Sequence, residues 1–222
     1  APVINAETQL TPITLVKGGD IIISATAKYE NNLARIDITG SGNSIETLDG
    51  YAQLPLELSL YPFAFNMPQT TPLEGRLNLD AQARAISALT LPVGQKLTGD
   101  INVNATIAGT IATPDITGNA NLTGGTYVFN AYGVELFDLN AQALLTRNNA
   151  QLTSLTANDN LDGQLEASGQ LSFNTPQNTQ FTLNLNDFQL FDSDEIEGTI
   201  SADLNAQGQE EGYLLSGDVN LG

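Results

Sequence analysis

Apolar residues recur at every second position along most of this chain. From Leu97 to Gly109 the positions Leu97, Gly99, Ile101, Val103, Ala105 and Ile107 share one phase, while Thr98, Asp100, Asn102, Asn104 and Thr106 share the other. Successive strand side chains point to opposite faces, so this is a strand with one apolar and one wetted face. The same alternation runs through Ile21 to Ala27, Ala34 to Ile38, Leu54 to Leu60, Leu73 to Ala81 and Leu161 to Phe173. Helical spacing is nearly missing. Its best candidate, Ala81 to Leu89, runs into Pro92, which limits it to a turn or two.

Turn-forming clusters separate these runs at Lys17-Gly18-Gly19-Asp20, Gly40-Ser41-Gly42-Asn43, Thr113-Pro114-Asp115, Thr123-Gly124-Gly125, Asn158-Asp159-Asn160 and Asn174-Thr175-Pro176-Gln177. Strands and turns so spaced predict an all-β protein of mainly antiparallel neighbours. Gly18-Gly19 and Gly124-Gly125 read as hairpin turns rather than phosphate cradles, since neither leads into a helix or a Lys-Ser/Thr pair.

A repeat is visible by direct comparison. A shift of 99 residues places Leu97 on Ile196, Gly99 on Gly198, Ile101 on Ile200, Gly109 on Gly208, Gly118 on Gly217, Ala120 on Val219 and Leu122 on Leu221, without a gap. Such a unit is several strands long, so the chain reads as one all-β region over 1–222, with repeat copies near 73–125 and 181–222. The alternation continues through Leu215, Gly217, Val219 and Leu221 to the last residue, as expected of a fragment of a longer chain.

Composition narrows the chemistry. The 222 residues include no His and no Cys, so no Ser-His-Asp or Cys-His catalysis, ordinary zinc or haem site, or disulfide is available. No cofactor is expected, and no enzyme activity. The 25 acids against 7 bases give a net charge of −18, which argues against nucleic acid and against anionic membrane surfaces. The acids are uneven: residues 112–222 hold 15 of them and Arg147 as their sole base. Asp192-Ser193-Asp194-Glu195 and Asn158-Asp159-Asn160-Leu161-Asp162 lack the spaced ligands of a calcium loop and read as solvated turns. Glu195 and Glu197 are strand neighbours without sugar-binding aromatics nearby. Tyr127, Phe129 and Tyr132 form the richest aromatic patch, which fills a core or rims a groove. No run of about 18 apolar residues and no signal-peptide pattern is present.

The ordered set Leu97-Thr98-Gly99-Asp100-Ile101, Gly109-Thr110, Pro114-Asp115-Ile116, Gly118, Leu122-Thr123-Gly124-Gly125-Thr126-Tyr127 and Tyr132-Gly133-Val134-Glu135-Leu136 resembles the TamB family, the DUF490 part of the AsmA-like proteins. Pro72-Leu73-Glu74-Gly75 upstream and Gly163-Gln164-Leu165 with Gly169 downstream extend the resemblance over roughly residues 50 to 222. The second repeat departs from the pattern, with Gln209, Tyr213 and Leu214 in place of Thr110, Pro114 and Asp115. The resemblance implies a periplasmic piece of an inner-membrane-anchored protein of Gram-negative bacteria that works with TamA, an outer-membrane barrel of the Omp85 class. It also implies a long curved sheet curled into an open, taco-like groove with an apolar interior. The family is linked to outer-membrane protein assembly and to phospholipid movement between the two membranes. The anchor and a barrel-docking end are not recognisable in this sequence.

The residues by themselves leave two readings of the apolar face: a smooth aliphatic groove suited to acyl chains, or the sealed core of a β-sandwich. With the resemblance, the groove is preferred, and the lining residues are Leu54, Leu56, Leu58, Leu77, Leu97, Ile101, Val103, Ile107, Ile116, Leu122, Leu165, Leu171, Leu183, Ile200 and Leu215. The expected cargo is phospholipid or another hydrophobic molecule. One alternative is a chaperone that offers groove or strand edges to unfolded outer-membrane proteins. Another is a secreted adhesin or passenger domain, although a β-helix would repeat every 20 to 25 residues or so rather than every 99.

Overall fold

A computed structural model describes residues 6–9, 13–14, 22–61, 63–131, 133–173, 175–193 and 196–222. Along the chain lie β1 (Ala6–Gln9), β2 (Ile13–Thr14), β3 (Ile22–Glu30), β4 (Leu33–Gly42), β5 (Ile45–Pro55), β6 (Glu57–Leu60), β7 (Phe63–Asn66) and β8 (Glu74–Gln82). The single described α-helix, α1 (Ala83–Thr90), precedes β9 (Gln95–Leu97), β10 (Asp100–Gly109), β11 (Pro114–Phe129), β12 (Val134–Leu145) and β13 (Asn149–Asn158). β14 (Gln164–Ser172), β15 (Gln180–Ser193), β16 (Ile196–Gly208) and β17 (Tyr213–Leu221) complete the chain, with a 3-10 turn at Pro176–Asn178 between β14 and β15. All the described strands except β6 and β7 belong to one open antiparallel sheet that is not closed into a barrel; β6 and β7 pair only with each other. The all-β expectation therefore holds, and α1 has the two turns the sequence allowed. No helix among the described residues is long and apolar enough to cross a membrane.

The chain divides into two compact units, residues 1–81 with 103–118 and residues 82–102 with 119–222. In the first, the hydrogen-bonded order is β1-β3-β4-β5-β8, with β2 also on β3. Direct cross-strand neighbours pair large with small: Ala27 faces Ile36, which faces Ala52, which faces Gly75; Ala25, Ile38, Gly50 and Leu77 form the next row. The opposite face is polar. Asp37 accepts from Arg35 Nε and Nη2 at 2.9 and 2.7 Å, and the Arg35 guanidinium lies 4.1 Å over the Tyr51 ring. Tyr51 donates to Glu74, whose carboxylate raises the tyrosine's pKa above its ordinary value. Arg76 reaches Asp49 at 3.1 Å.

In the second unit β12 to β17 pair in chain order. Leu155, Ala167, Leu183, Leu204 and Gly217 lie opposite one another on β13 to β17, and Ala157, Leu165, Leu185, Ala202 and Val219 form a parallel row. A third row, Leu152, Gly169, Phe181, Ala206 and Leu215, completes an aliphatic strip. Glycine at 169 is a packing requirement, because a Cβ there would overlap the Phe181 ring and the Gln180 carbonyl. The other face carries Gln151, Gln170, Gln180 and Gln207 in one row and Thr156, Glu166, Asn184, Asp203 and Asp218 in another.

Three readings of the sequence are corrected here. Thr123-Gly124-Gly125 is not a hairpin turn; it lies within β11, where Gly124 takes a φ of +59° and Gly125 is pressed against the Thr98 and Leu139 carbonyls. The glycines permit a kink and a close backbone approach inside a long strand. The Leu54 to Leu60 run is not one strand. It breaks at Leu56, because Pro55 has no N–H to continue the ladder and Leu56 N–H donates instead to Asn32 O at 2.9 Å. Leu161 is not a strand residue but sits exposed in the β13–β14 turn. The Lys17-Gly18-Gly19-Asp20 turn, Tyr132 and the Asp194-Glu195 part of the acidic run lie outside the described residues.

Asp159 organises the β13–β14 turn. Its Oδ1 accepts from Leu161 and Gly163 N–H at 2.8 and 3.1 Å, and its Oδ2 accepts from Gln189 N–H on β15 at 2.8 Å. Burial pushes its pKa up, but the N–H groups of Gln189, Leu161 and Gly163 together outweigh that and hold the carboxyl below its ordinary value. A depressed folded pKa adds stability that is complete above the unfolded value, about 3.9, and is lost as pH falls through the folded one. Asp159→Asn is therefore expected to lower the urea midpoint at pH 7, with the gap to the parent narrowing below about pH 4; a constant gap across that range would contradict the assignment. Gly169→Val should cost roughly 1–3 kcal/mol by overpacking, measured by the same denaturation.

Candidate functional site

A continuous aliphatic strip arises where period-two sequence meets antiparallel register. Each strand from β13 to β17 sends every second side chain to one face, and in-register pairing aligns them across five strands. At roughly 4.8 Å per strand the strip is about 19 Å wide. Its three rows hold only Leu, Ala, Gly, Phe and Val, so the face is free of charge and of hydrogen-bonding side chains. Glu166, Asp203 and Asp218 all fall on the other face.

The strip is unevenly covered. Ala157, Leu139, Ala202 and Phe188 are buried, Phe188 completely, and all lie on or beside the row nearest Asp159. At this end β12 and β15 approach each other although two strands separate them in the sheet, so the second unit's sheet bends there. The third row lies away from this closed end: Leu152 and Phe181 are half-buried, and Leu215 is 66% exposed. Leu171, one row beyond and opposite Ala150, is 40% exposed.

Of the fifteen residues expected to line a groove, Leu165, Leu171, Leu183 and Leu215 share this face, on β14, β15 and β17. Ile200 joins them on β16, opposite Phe188 and Leu221. Also in the second unit, Leu97 lies on β9 opposite Tyr127, Ile101 on β10 and Leu122 on β11. In the first unit Leu54 faces Ala34 and Leu77 faces Gly50, on one shared face, and Ile107 on β10 lies against Gly75. Val103 and Ile116 belong to this unit too, on β10 and β11. Leu56 falls in the break between β5 and β6, and Leu58 lies on the separate β6–β7 hairpin, away from the main sheet. None of the fifteen is buried: eleven are half-buried, while Leu58, Ile116, Leu171 and Leu215 are exposed.

Sequence reasoning missed Leu152, Leu155, Phe181, Leu185, Leu204, Phe188 and Val219. Four of them, Phe181, Leu185, Leu204 and Val219, were readable, since they alternate in phase with Leu183, Ile200 and Leu215. Leu152 and Leu155 are separated by a register shift, and so are Leu185 and Phe188. In the second case Asp187 takes a φ of +45°, and its N–H donates to Ser201 Oγ at 3.0 Å; the extra residue turns Phe188 back to the face of Leu185.

The arrangement can exclude water and offer an unspecific apolar surface. It holds no general acid, base or nucleophile. Among the described residues, no group of His, Cys, Asp and Glu is placed to hold a metal ion.

Residues 153–222 match the family model of the TamB C-terminal domain. No curated protein and no solved structure matches the chain. The matched stretch takes in most of β13 and all of β14 to β17, the strands that build the strip. Over that stretch, and over that stretch alone, the chain is similar to the TamB C-terminal domain, which supports a TamB-related role in the cell envelope.

Proposed function

We propose that the aliphatic face binds and conducts hydrophobic cargo, phospholipid above all, between the inner and outer membranes of a Gram-negative cell. The supporting observation is that the residues aligned on it are apolar and charge-free and that, away from the closed end at Ala157 and Ala202, they are half-buried or exposed. Exposing an acyl chain to water costs on the order of 0.8 kcal/mol per methylene, so a chain of about 16 carbons needs an unbroken apolar path. Rows that run from strand to strand supply one, and a strip of Leu, Ala, Val and Gly asks for no directional partner. In this reading no bond is made or broken. The full-length protein is anchored in the inner membrane, and a TamA-like barrel receives the cargo at the outer one.

The exposed β17 favours a second reading. Tyr213, Leu214 and Leu215 are 65%, 54% and 66% exposed. An unfolded outer-membrane strand would lay its apolar residues against them.

A photo-crosslinker at Leu183 is expected to capture lipid in cells, while one at Asn184, on the opposite face, captures little; peptide adducts at Leu183 would favour the chaperone. Leu183→Asp should abolish lipid capture and cost less than about 2 kcal/mol, the range of a solvent-open site. A loss above about 4 kcal/mol, as for an unpaired charge in a sealed core, would contradict the open face.

A further inference from the structure

The β6–β7 hairpin is the one described element that turns its apolar face outward without a neighbour on the main sheet. Leu58 pairs with Phe65 and Leu60 with Phe63, which puts these four positions on one face; Glu57, Ser59, Ala64 and Asn66 take the other. Phe63 is 75% exposed, Phe65 66%, and Tyr61 at the tip 97%, with Met67 just beyond at 43%. The root of the hairpin is fastened: Pro55 is fully buried, Leu56 N–H donates to Asn32 O, and Leu58 N–H donates to the Tyr29 hydroxyl at 3.3 Å. On the polar face Asn66 donates to Glu57 at 2.9 Å. The hairpin thus holds an aromatic surface away from the sheet on an anchored base.

Charge selects the occupant. From Leu58 to Leu73 no residue is charged, in a chain whose net charge is −18. A protein partner is steered and oriented by complementary charge around the apolar centre, and the segment from Leu58 to Leu73 supplies none. A second copy would gain little, since the exposed side chains offer on the order of 500 Å², short of the roughly 800 Å² per partner of a standard interface. The phospholipid–water interface is different: aromatic side chains settle at headgroup level, and only apolar area is required. Strands of four residues reach about 13 Å, enough to pass through the 5–10 Å of an interfacial insertion.

We infer that the β6–β7 hairpin is a membrane-interface contact, inserted through Tyr61, Phe63 and Phe65 into a zwitterionic phospholipid surface. Acidity elsewhere on the chain makes the preference opposite to that of basic peripheral proteins: anionic lipid weakens binding, and added salt restores it. The inference goes beyond cargo conduction and does not depend on it, because the hairpin is separate from the strip and its contact is with a bilayer surface.

The chain has no Trp, so one introduced indole reports alone. With phosphatidylcholine vesicles, Phe63→Trp should shift its emission to the blue, and Ser59→Trp, on the polar face, should shift far less. The double variant Phe63→Ser/Phe65→Ser should float with these vesicles at least tenfold less than the parent, with an unchanged far-ultraviolet circular dichroism spectrum. Equal-part phosphatidylcholine–phosphatidylglycerol vesicles should bind less at low salt. No shift, equal shifts at both positions, or a shift without vesicles that follows doubling of the molecular mass would each overturn the inference, the last by assigning the patch to a second copy. Lipid crosslinking at Leu183 reads the cargo face separately, so the two can fail independently.

Discussion

Antiparallel pairing in register is the constraint on which the rest of this molecule depends. Side-chain direction in a strand has a period of two, so one residue of slippage would send Leu165, Leu183 and Leu204 to the wetted face and their polar neighbours inward. The register is held by fitted pairs such as Gly169 with Phe181, and by Asp159, which ties the β13–β14 turn to the backbone of β15. Both devices act where a strand could otherwise slide.

Bulges are as important as the regular rows. Asp138 on β12 and Asp187 on β15 both take positive φ, and each lies at a register shift. Leu139 and Phe188, the residues that follow, are among the most buried side chains of the second unit. The local bend also accompanies the approach of β12 to β15. A face that is closed at one end and open along its flank follows from where these extra residues were placed.

Much of this was legible from the residues. Alternation from Ile101 to Ile107 and from Leu165 to Leu171 predicted strands because burial on one face leaves that trace directly, whereas Leu97, read as part of the same strand as Ile101, ends β9 before a break at Thr98-Gly99, where Gly99 takes a φ of +107°. Phe188 was not legible: its phase relative to Leu183 and Leu185 points outward, and only the bulge at Asp187 reverses it. Gly124-Gly125 misled because two glycines serve a turn and a kink equally well, and the choice between them lies with distant carbonyls. Leu58 continued an alternating run whose interruption at Pro55 changes which sheet the next strand joins.

Charge partition makes the open face tolerable. Acids, amides and hydroxyls occupy most of the other face, Leu214 opposite Gln207 excepted, so solubility does not require polar groups on the strip. The proposed function asks of this face only shape and apolar continuity. Native mass spectrometry of the protein purified without detergent tests that claim most directly. The account predicts mass increments of intact phospholipid; bare protein alone, or increments of peptide, would contradict it.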